Sequence, residues 1–319
     1  MACGAGVVEE KLMSHSARPL HVVTPTILSM PLQQLTGKAI YLKMECYQPV
    51  GSFKIRGLGR LAQYYVGQGH TRLVCSSGGN AGVAAAYIGK QLGVKVTVFL
   101  PTTSKAIFIN AIKSYGAEVV VVGDSWDEAN AAALDAIDKT GAAFIPPFDH
   151  PLIWAGHSTI IDEVVASGVK PDAVVLAVGG GGLACGVIAG MHNYGWSDVP
   201  LFTVETTGTA SFKASVDAGE LVTLPKVSGI ATSLAAKRVA AQLFEYSKQH
   251  LIIPLVVTDN DTLSACRAFL DDHRVLLEPA SGAPLSLIYQ QHPSLADYQS
   301  ILVVVCGGIG MSLSSMMSQ

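Results

Sequence analysis

The chain has 319 residues, half of them apolar and only 14% charged, with a formal net charge of −3. That length buries a sizeable core in one large or two ordinary domains. The weak, near-neutral charge excludes a nucleic-acid binder that works through a basic face. The six cysteines are Cys3, Cys46, Cys75, Cys185, Cys266 and Cys306, with no CxxC pair and no zinc-ligand spacing. Several lie in apolar runs, where a free thiol behaves as a small hydrophobe, so a reducing compartment fits better than a disulfide scaffold. The N-terminal MACGAGVVEEKLMSHSARPL lacks the apolar core of a signal peptide, and no apolar run is long enough for a bilayer. The expectation is a soluble cytoplasmic protein.

Short β-branched runs alternate with helical stretches along the chain. AIYLKM (39–44), RLVC (72–75), VKVTVFL (94–100), EVVVV (118–122), AVVLAV (173–178), LFTVE (201–205) and ILVVV (301–305) read as strands. Continuous apolar runs of this kind predict parallel strands buried on both faces. Residues 80–92, 104–115 and 125–139 read as helices, each closed by a glycine stop at Gly93, Gly116 or Gly141. The alternation predicts an α/β fold with helices on both sheet faces. FIPPFDHPLIWAGH (144–157) breaks the rhythm, because its prolines fit neither a central strand nor mid-helix, and it reads as a crossover between two sub-domains. The terminal MSLSSMMSQ reads as a tail or a frayed helix.

Ligands of open α/β sheets bind beyond the carboxyl ends of the strands. Four turns are candidates there. Gly179, Gly180, Gly181 and Gly182 follow a buried strand and precede a helix, which suits a phosphate. No Lys-Ser/Thr pair closes them, so a P-loop is excluded. Gly179, Gly181 and Ala184 do satisfy G-x-G-x-x-A, and Glu205 ends the next strand, so a nicotinamide-dependent oxidoreductase is an alternative. CSSGGNAG (75–82) offers hydroxyls, an amide and backbone N–H groups to a carboxylate, although Ser77 or Asn80 would equally serve as a helix cap. CGGIG (306–310) follows ILVVV. In GSFK (51–54), Lys54 stands in the first turn of a helix beginning near Ile55, where a positive charge opposes the dipole. A neutral or imine-linked lysine escapes much of that penalty.

Together, GSFKIRG, CSSGGNAG, GGGGL and VCGG resemble, in order and separation, the fold-type II pyridoxal-phosphate enzymes, and among them the L-serine/L-threonine dehydratases. PPFDHPLIWAGH and LGVKVTVFLP extend the similarity, which runs from about residue 21 to about residue 311. The resemblance implies two open twisted, mostly parallel sheets flanked by helices. It places a large cofactor-binding domain at 1–65 and 149–319 and a small substrate-loop domain at 66–148. It implies pyridoxal 5′-phosphate as cofactor, bound to Lys54 as a Schiff base, with Lys54 and Ser77 as catalytic residues. Phe53 would pack on the ring, Asn80 would bond its hydroxyl, and Cys306 would face its nitrogen. Gly179, Gly180, Gly181, Gly182 and Leu183 would hold the phosphate. Ser77, Gly78, Asn80 and Ala81 would bind the substrate carboxylate. Gly179, Glu205, Thr209, Leu234 and Ala236 would hold a monovalent cation, potassium being the natural guest.

The implied activity is elimination of water and ammonia from L-serine, and from L-threonine, by a homodimer with no nucleic-acid or membrane partner. Serine racemase, cysteine synthase-like and catalytically weakened relatives are alternatives. Val50 stands where the family has Ser or Thr, Ser281 and Pro284 where Cys and Ala are common, and Ala235 where a glycine is common. Pro284 is expected in the first turn of its helix.

Overall fold

The computed structural model describes residues 18–318. The N-terminal stretch read for targeting, including Cys3, lies outside the described residues except for its last three positions.

The chain opens with β1 (Thr26–Leu28), α1 (Met30–Thr36), β2 (Ala39–Met44) and α2 (Lys54–Gly67). A run of β3 (Arg72–Cys75), α3 (Asn80–Leu92), β4 (Lys95–Leu100), α4 (Ala106–Ser114), β5 (Glu118–Val121), α5 (Trp126–Thr140) and β6 (Ala143–Ile145) follows. Then come α6 (Pro151–His157), α7 (Thr159–Ala166), β7 (Ala173–Ala177), α8 (Gly182–Asn193), β8 (Leu201–Thr206) and α9 (Ser211–Ala218). The last part holds α10 (Ala241–Tyr246), β9 (Ile252–Val257), α11 (Asp259–His273), α12 (Pro279–Tyr289), β10 (Ser300–Val305) and α13 (Leu313–Ser318).

These strands form two sheets. One has six strands in the order β1-β2-β10-β7-β8-β9, parallel except for β1; the other has four parallel strands in the order β5-β4-β3-β6. Strands β7 and β8 are buried along their whole length, as expected of central parallel strands covered on both faces. Gly93 and Gly141 end α3 and α5 in the left-handed conformation at φ 68° and 64°, and Ser125 with Glu128 closes the other end of α5 as a capping box.

Two main cores result. One lies around the six-stranded sheet. The other joins β3 and β4 of the four-stranded sheet to Ile55, Leu58 and Leu61 of α2 and to Leu152 and Ile153 of α6. Val50 belongs to this second core, where it is buried among apolar side chains. The 144–157 segment divides into β6, a loop and α6, whose first residue is Pro151 capped by the His150 ring.

One expectation is corrected. Pro284 lies in the second turn of α12, not the first. It removes the N–H that would reach the Ala280 carbonyl. Every residue from Pro279 to Ile288 is buried, so packing on all sides holds the helix through the missing bond. Among the described residues, no helix is long and apolar enough to cross a membrane.

Candidate active site

The lysine turn and the thiol turn meet. Phe53 N–H donates to the Cys306 carbonyl at 3.1 Å, Gly308 N–H donates to the Gly51 carbonyl at 2.7 Å, and Ser52 bridges Gly307. Lys54 is itself the first residue of α2, with Phe53 as N-cap and no side-chain cap bond. Two residues on, the buried Arg56 guanidinium donates to Glu45 at 2.7 and 2.8 Å and to Glu163 at 2.6 and 2.7 Å. Lys43 also reaches Glu163. This knot fixes the first turn of α2 to β2 and α7, and thereby the root of Lys54.

The Lys54 side chain is half-buried, and Nζ donates to the Pro147 carbonyl at 2.6 Å. Burial brings its pKa down to about 8, against a smaller opposing pull from Cys75, Cys306 and Glu278. The amine lies 5.2 Å from the Phe53 ring centre, and that ring meets the His157 ring edge to face, with centroids 4.9 Å apart.

The four glycines run from the end of β7 into α8, with Gly181 as N-cap at φ 88°. Among the described residues, the N–H groups of Gly180 through Ala184 take no protein acceptor. Unpaired N–H groups at a helix start form an anion site. Glycine is required here for space as well as for φ. A Cβ at Gly180 would fall on the Phe148 ring, and one at Gly179 would come within 2.9 Å of Leu234 Cα. Phe148 follows Pro147, the residue that holds Lys54, so the crossover loop joins lysine and cradle.

The polar turn closes the other side. Gly79 is the N-cap of α3 and makes no side-chain cap bond, while Ser77 Oγ accepts the Gly79 N–H at 3.3 Å. Neither Ser77 nor Asn80 therefore serves as the helix cap. Gly78 packs against Ser104, leaving no room for a Cβ, and Ala81 is buried. Asn80 is buried and fully engaged. Its Oδ1 accepts from Ile309 N–H at 3.1 Å, and its Nδ2 donates to Ser233 Oγ at 3.1 Å and to Glu278 Oε1 at 3.0 Å.

Cys306 is buried beside Ser281, Sγ to Oγ 3.2 Å, and burial pushes its thiol up to about 12. A neutral thiol, not a carboxylate, thus closes this end of the site. Glu205 is buried, and its two oxygens accept the Phe212 and Lys213 N–H groups at 2.8 Å each, which caps α9. Burial raises its pKa to about 7. Because the carboxylate is turned into α9, it does not serve as the ribose-binding acid of the dinucleotide reading. Leu234 abuts Gly179, and its carbonyl accepts from Ala236 N–H at 2.7 Å. The Thr209 carbonyl accepts from Ser211 N–H at 2.9 Å. Among the described residues there is no cluster of three or more His, Cys, Asp or Glu side chains able to hold a metal.

The sequence reading missed Glu278, Ser233, Pro147, Phe148 and His157. Only Glu278 carries a local signal: a lone acid inside the apolar run VLLEPASGAPL, ahead of a proline helix start. It occupies the N-cap position of α12 without making a cap bond.

The residues present fit a phosphorylated aldehyde. The unpaired N–H cradle suits its phosphate, and the low-pKa amine suits its carbonyl. A two-sheet α/β enzyme with a lysine set near a glycine cradle of unpaired N–H groups and a polar turn is the class that fold and site define. The family model described as "Pyridoxal-phosphate dependent enzyme" matches residues 17–307, and the chain belongs to this family. It is 44% identical to the L-serine dehydratase/L-threonine deaminase of Bos taurus, covering 95% of this chain and 96% of that one. It is 45% identical to the serine dehydratase-like protein of Mus musculus, covering 93% of each. The fungal L-serine ammonia-lyase of Rhizomucor miehei superposes with a TM-score of 0.89 at 36% identity, covering 94% of this chain and 98% of that one.

Proposed function

We propose that this chain converts L-serine to pyruvate and ammonia, and L-threonine to 2-oxobutanoate and ammonia. The carrying observation is the Lys54 amine, brought down to about 8 by burial and tethered by the crossover loop beside the glycine cradle. Relatives named for this activity, at 44% identity over nearly the whole chain, support the substrate class. Pyridoxal phosphate, when bound, supplies the electron sink that lets a Cα proton leave an amino acid.

The chain's own residues do the rest. Gly179 through Leu183 present N–H groups to the phosphate, and Phe53 offers a ring face. Ser77, Gly78, Asn80 and Ala81 would line the carboxylate subsite, and Asn80 would also bond the cofactor. Lys54 would hold the cofactor, and its amine is placed to take the proton at Cα. The Cys306 thiol provides no negative charge to hold a proton on the ring nitrogen, which suits elimination, where charge departs with the β-hydroxyl. Ser77 is the candidate partner of Lys54 in moving protons at the substrate.

We take the two sheet units as the large domain (1–65 and 149–319) and the small domain (66–148). A monovalent cation held by Glu205 with Gly179, Thr209, Leu234 and Ala236 is supported by the contact of Leu234 with Gly179, and Glu205 would share its oxygens between the cation and the Phe212 and Lys213 N–H groups. A homodimer is supported by the exposed Val23, Met30 and Tyr47 near the edge strand β1. The free cysteines Cys46, Cys75, Cys185, Cys266 and Cys306 support a cytoplasmic setting.

The test is 2-oxoacid formation from L-serine by the cofactor-loaded protein. Turnover by wild type and none by Lys54→Ala is expected; turnover retained in Lys54→Ala refutes the role of the lysine.

A further inference from the structure

Glu278 is a buried acid of the site that makes no ion pair among the described residues. Such a carboxylate is costly to desolvate, and burial raises its pKa against a smaller pull from Lys105. Its neighbours explain where it is held. Oε1 accepts from Asn80 Nδ2 at 3.0 Å, and Oε2 accepts from Gly310 N–H at 2.8 Å. The Ser233 side chain, which accepts the second Asn80 N–H, lies beside it. Gly308 and Gly310 leave room for the carboxylate only because they lack a Cβ. Three distant segments therefore converge on one acid: the start of α3, the turn holding Ser233, and the loop after β10.

The consequence falls on Asn80. Its oxygen is pinned by Ile309 N–H and its nitrogen by Glu278. Turned over, the amide would set its oxygen against a carboxylate and its NH2 against an N–H donor. Glu278 thus dictates which end of the amide faces which partner. The amide nitrogen has two protons. One is committed to Glu278, and the other lies on the Ser233 hydroxyl, a neutral partner that a ligand acceptor could displace.

We propose that Glu278 is a positioning residue that orients Asn80 with its NH2 toward the cofactor ring and so sets the affinity of the site for the cofactor. This rests on the cofactor reading of the preceding subsection.

The experiment compares wild type, Glu278→Ala, Glu278→Gln, Asn80→Ala and the Glu278→Ala/Asn80→Ala double variant. Pyridoxal 5′-phosphate is titrated into each apoprotein by fluorescence, and urea denaturation of each apoprotein monitors folding. Each single alanine variant should bind on the order of tenfold more weakly, the size of a lost charged hydrogen bond. The double variant should bind no more weakly than Asn80→Ala alone, because Glu278 acts through Asn80. Additive losses, or wild-type affinity in Glu278→Ala, overturn the proposal. Glu278→Gln keeps the shape and removes the charge, so it serves if the alanine variant does not fold. It should also bind the cofactor more weakly than wild type, because its amide must set an NH2 against either the Asn80 NH2 or the Gly310 N–H, and wild-type affinity counts against the proposal. Wild type that binds no cofactor sinks the functional reading and this inference with it. Binding that is indifferent to Glu278 sinks this inference alone.

Discussion

Phe53 and Cys306, 253 positions apart in the chain, are joined by one backbone hydrogen bond of 3.1 Å. With the Gly308–Gly51 bond beside it, this pairing makes the end of β10 the template on which the lysine turn is laid. Gly307 is the tightest point. It has φ 78°, and a Cβ there would collide with the Gly51 carbonyl and stand 2.8 Å from Cys46 Cα. Gly307→Ala should cost at least about 2 kcal/mol of stability, from left-handed strain and backbone overlap together. Urea denaturation of the apoprotein measures the loss, and cofactor titration should weaken in parallel because Lys54 shifts with the turn.

Lys54 should react as an amine at a pH where ordinary lysines do not. Burial brings it to about 8, against about 10.4 for a lysine in a model peptide. Competitive labelling of the apoprotein with acetic anhydride, read by peptide mass spectrometry, should show half-maximal reactivity of Lys54 near pH 8. A midpoint near that of a free lysine would show that the side chain is solvated.

Arg56 supports the same turn from below. Its guanidinium satisfies Glu45 and Glu163 together, and the Arg56 and Glu45 side chains are both fully buried. Arg56→Met leaves the Glu45 charge without its partner and should cost about 3–5 kcal/mol. Arg56→Lys should recover only part of this, since one ammonium cannot reproduce the planar fork that meets two carboxylates. Chemical denaturation ranks the three proteins as wild type, Arg56→Lys, Arg56→Met.

What the sequence made legible follows from burial. β7 and β10 run as continuous apolar stretches because both faces of a parallel sheet are covered. The glycine cradle and the polar turn are contiguous, so each is visible in one glance along the chain. β9 is not, because IIPLVV contains Pro254, which reads against a strand; at the sheet edge the missing N–H costs no ladder bond. β1 and β6 have three residues each, too few for a period. Glu278 escapes for another reason. Its partner Asn80 is 198 residues away, and no local pattern records a contact made only by folding.

His157 makes the stability of the protein sensitive to acid. The ring is fully buried, and neither nitrogen has a hydrogen-bond partner among the described residues. Burial, assisted by Lys54 and Arg56, holds its pKa well below 6.5, so the folded protein keeps it neutral. The unfolded chain binds a proton there below about pH 6.5, and the folded chain does not. Stability should therefore be flat in this group above that pH. It should fall by up to about 1.4 kcal/mol per unit as the pH drops further, until the folded ring itself protonates. Other histidines titrate too, so the comparison is with His157→Leu. Urea midpoints of the two proteins should run parallel above about pH 7.5 and converge below 6.5 as wild type loses ground by one proton. Curves that stay parallel to pH 5 would mean that the ring is protonated or solvated in the folded chain.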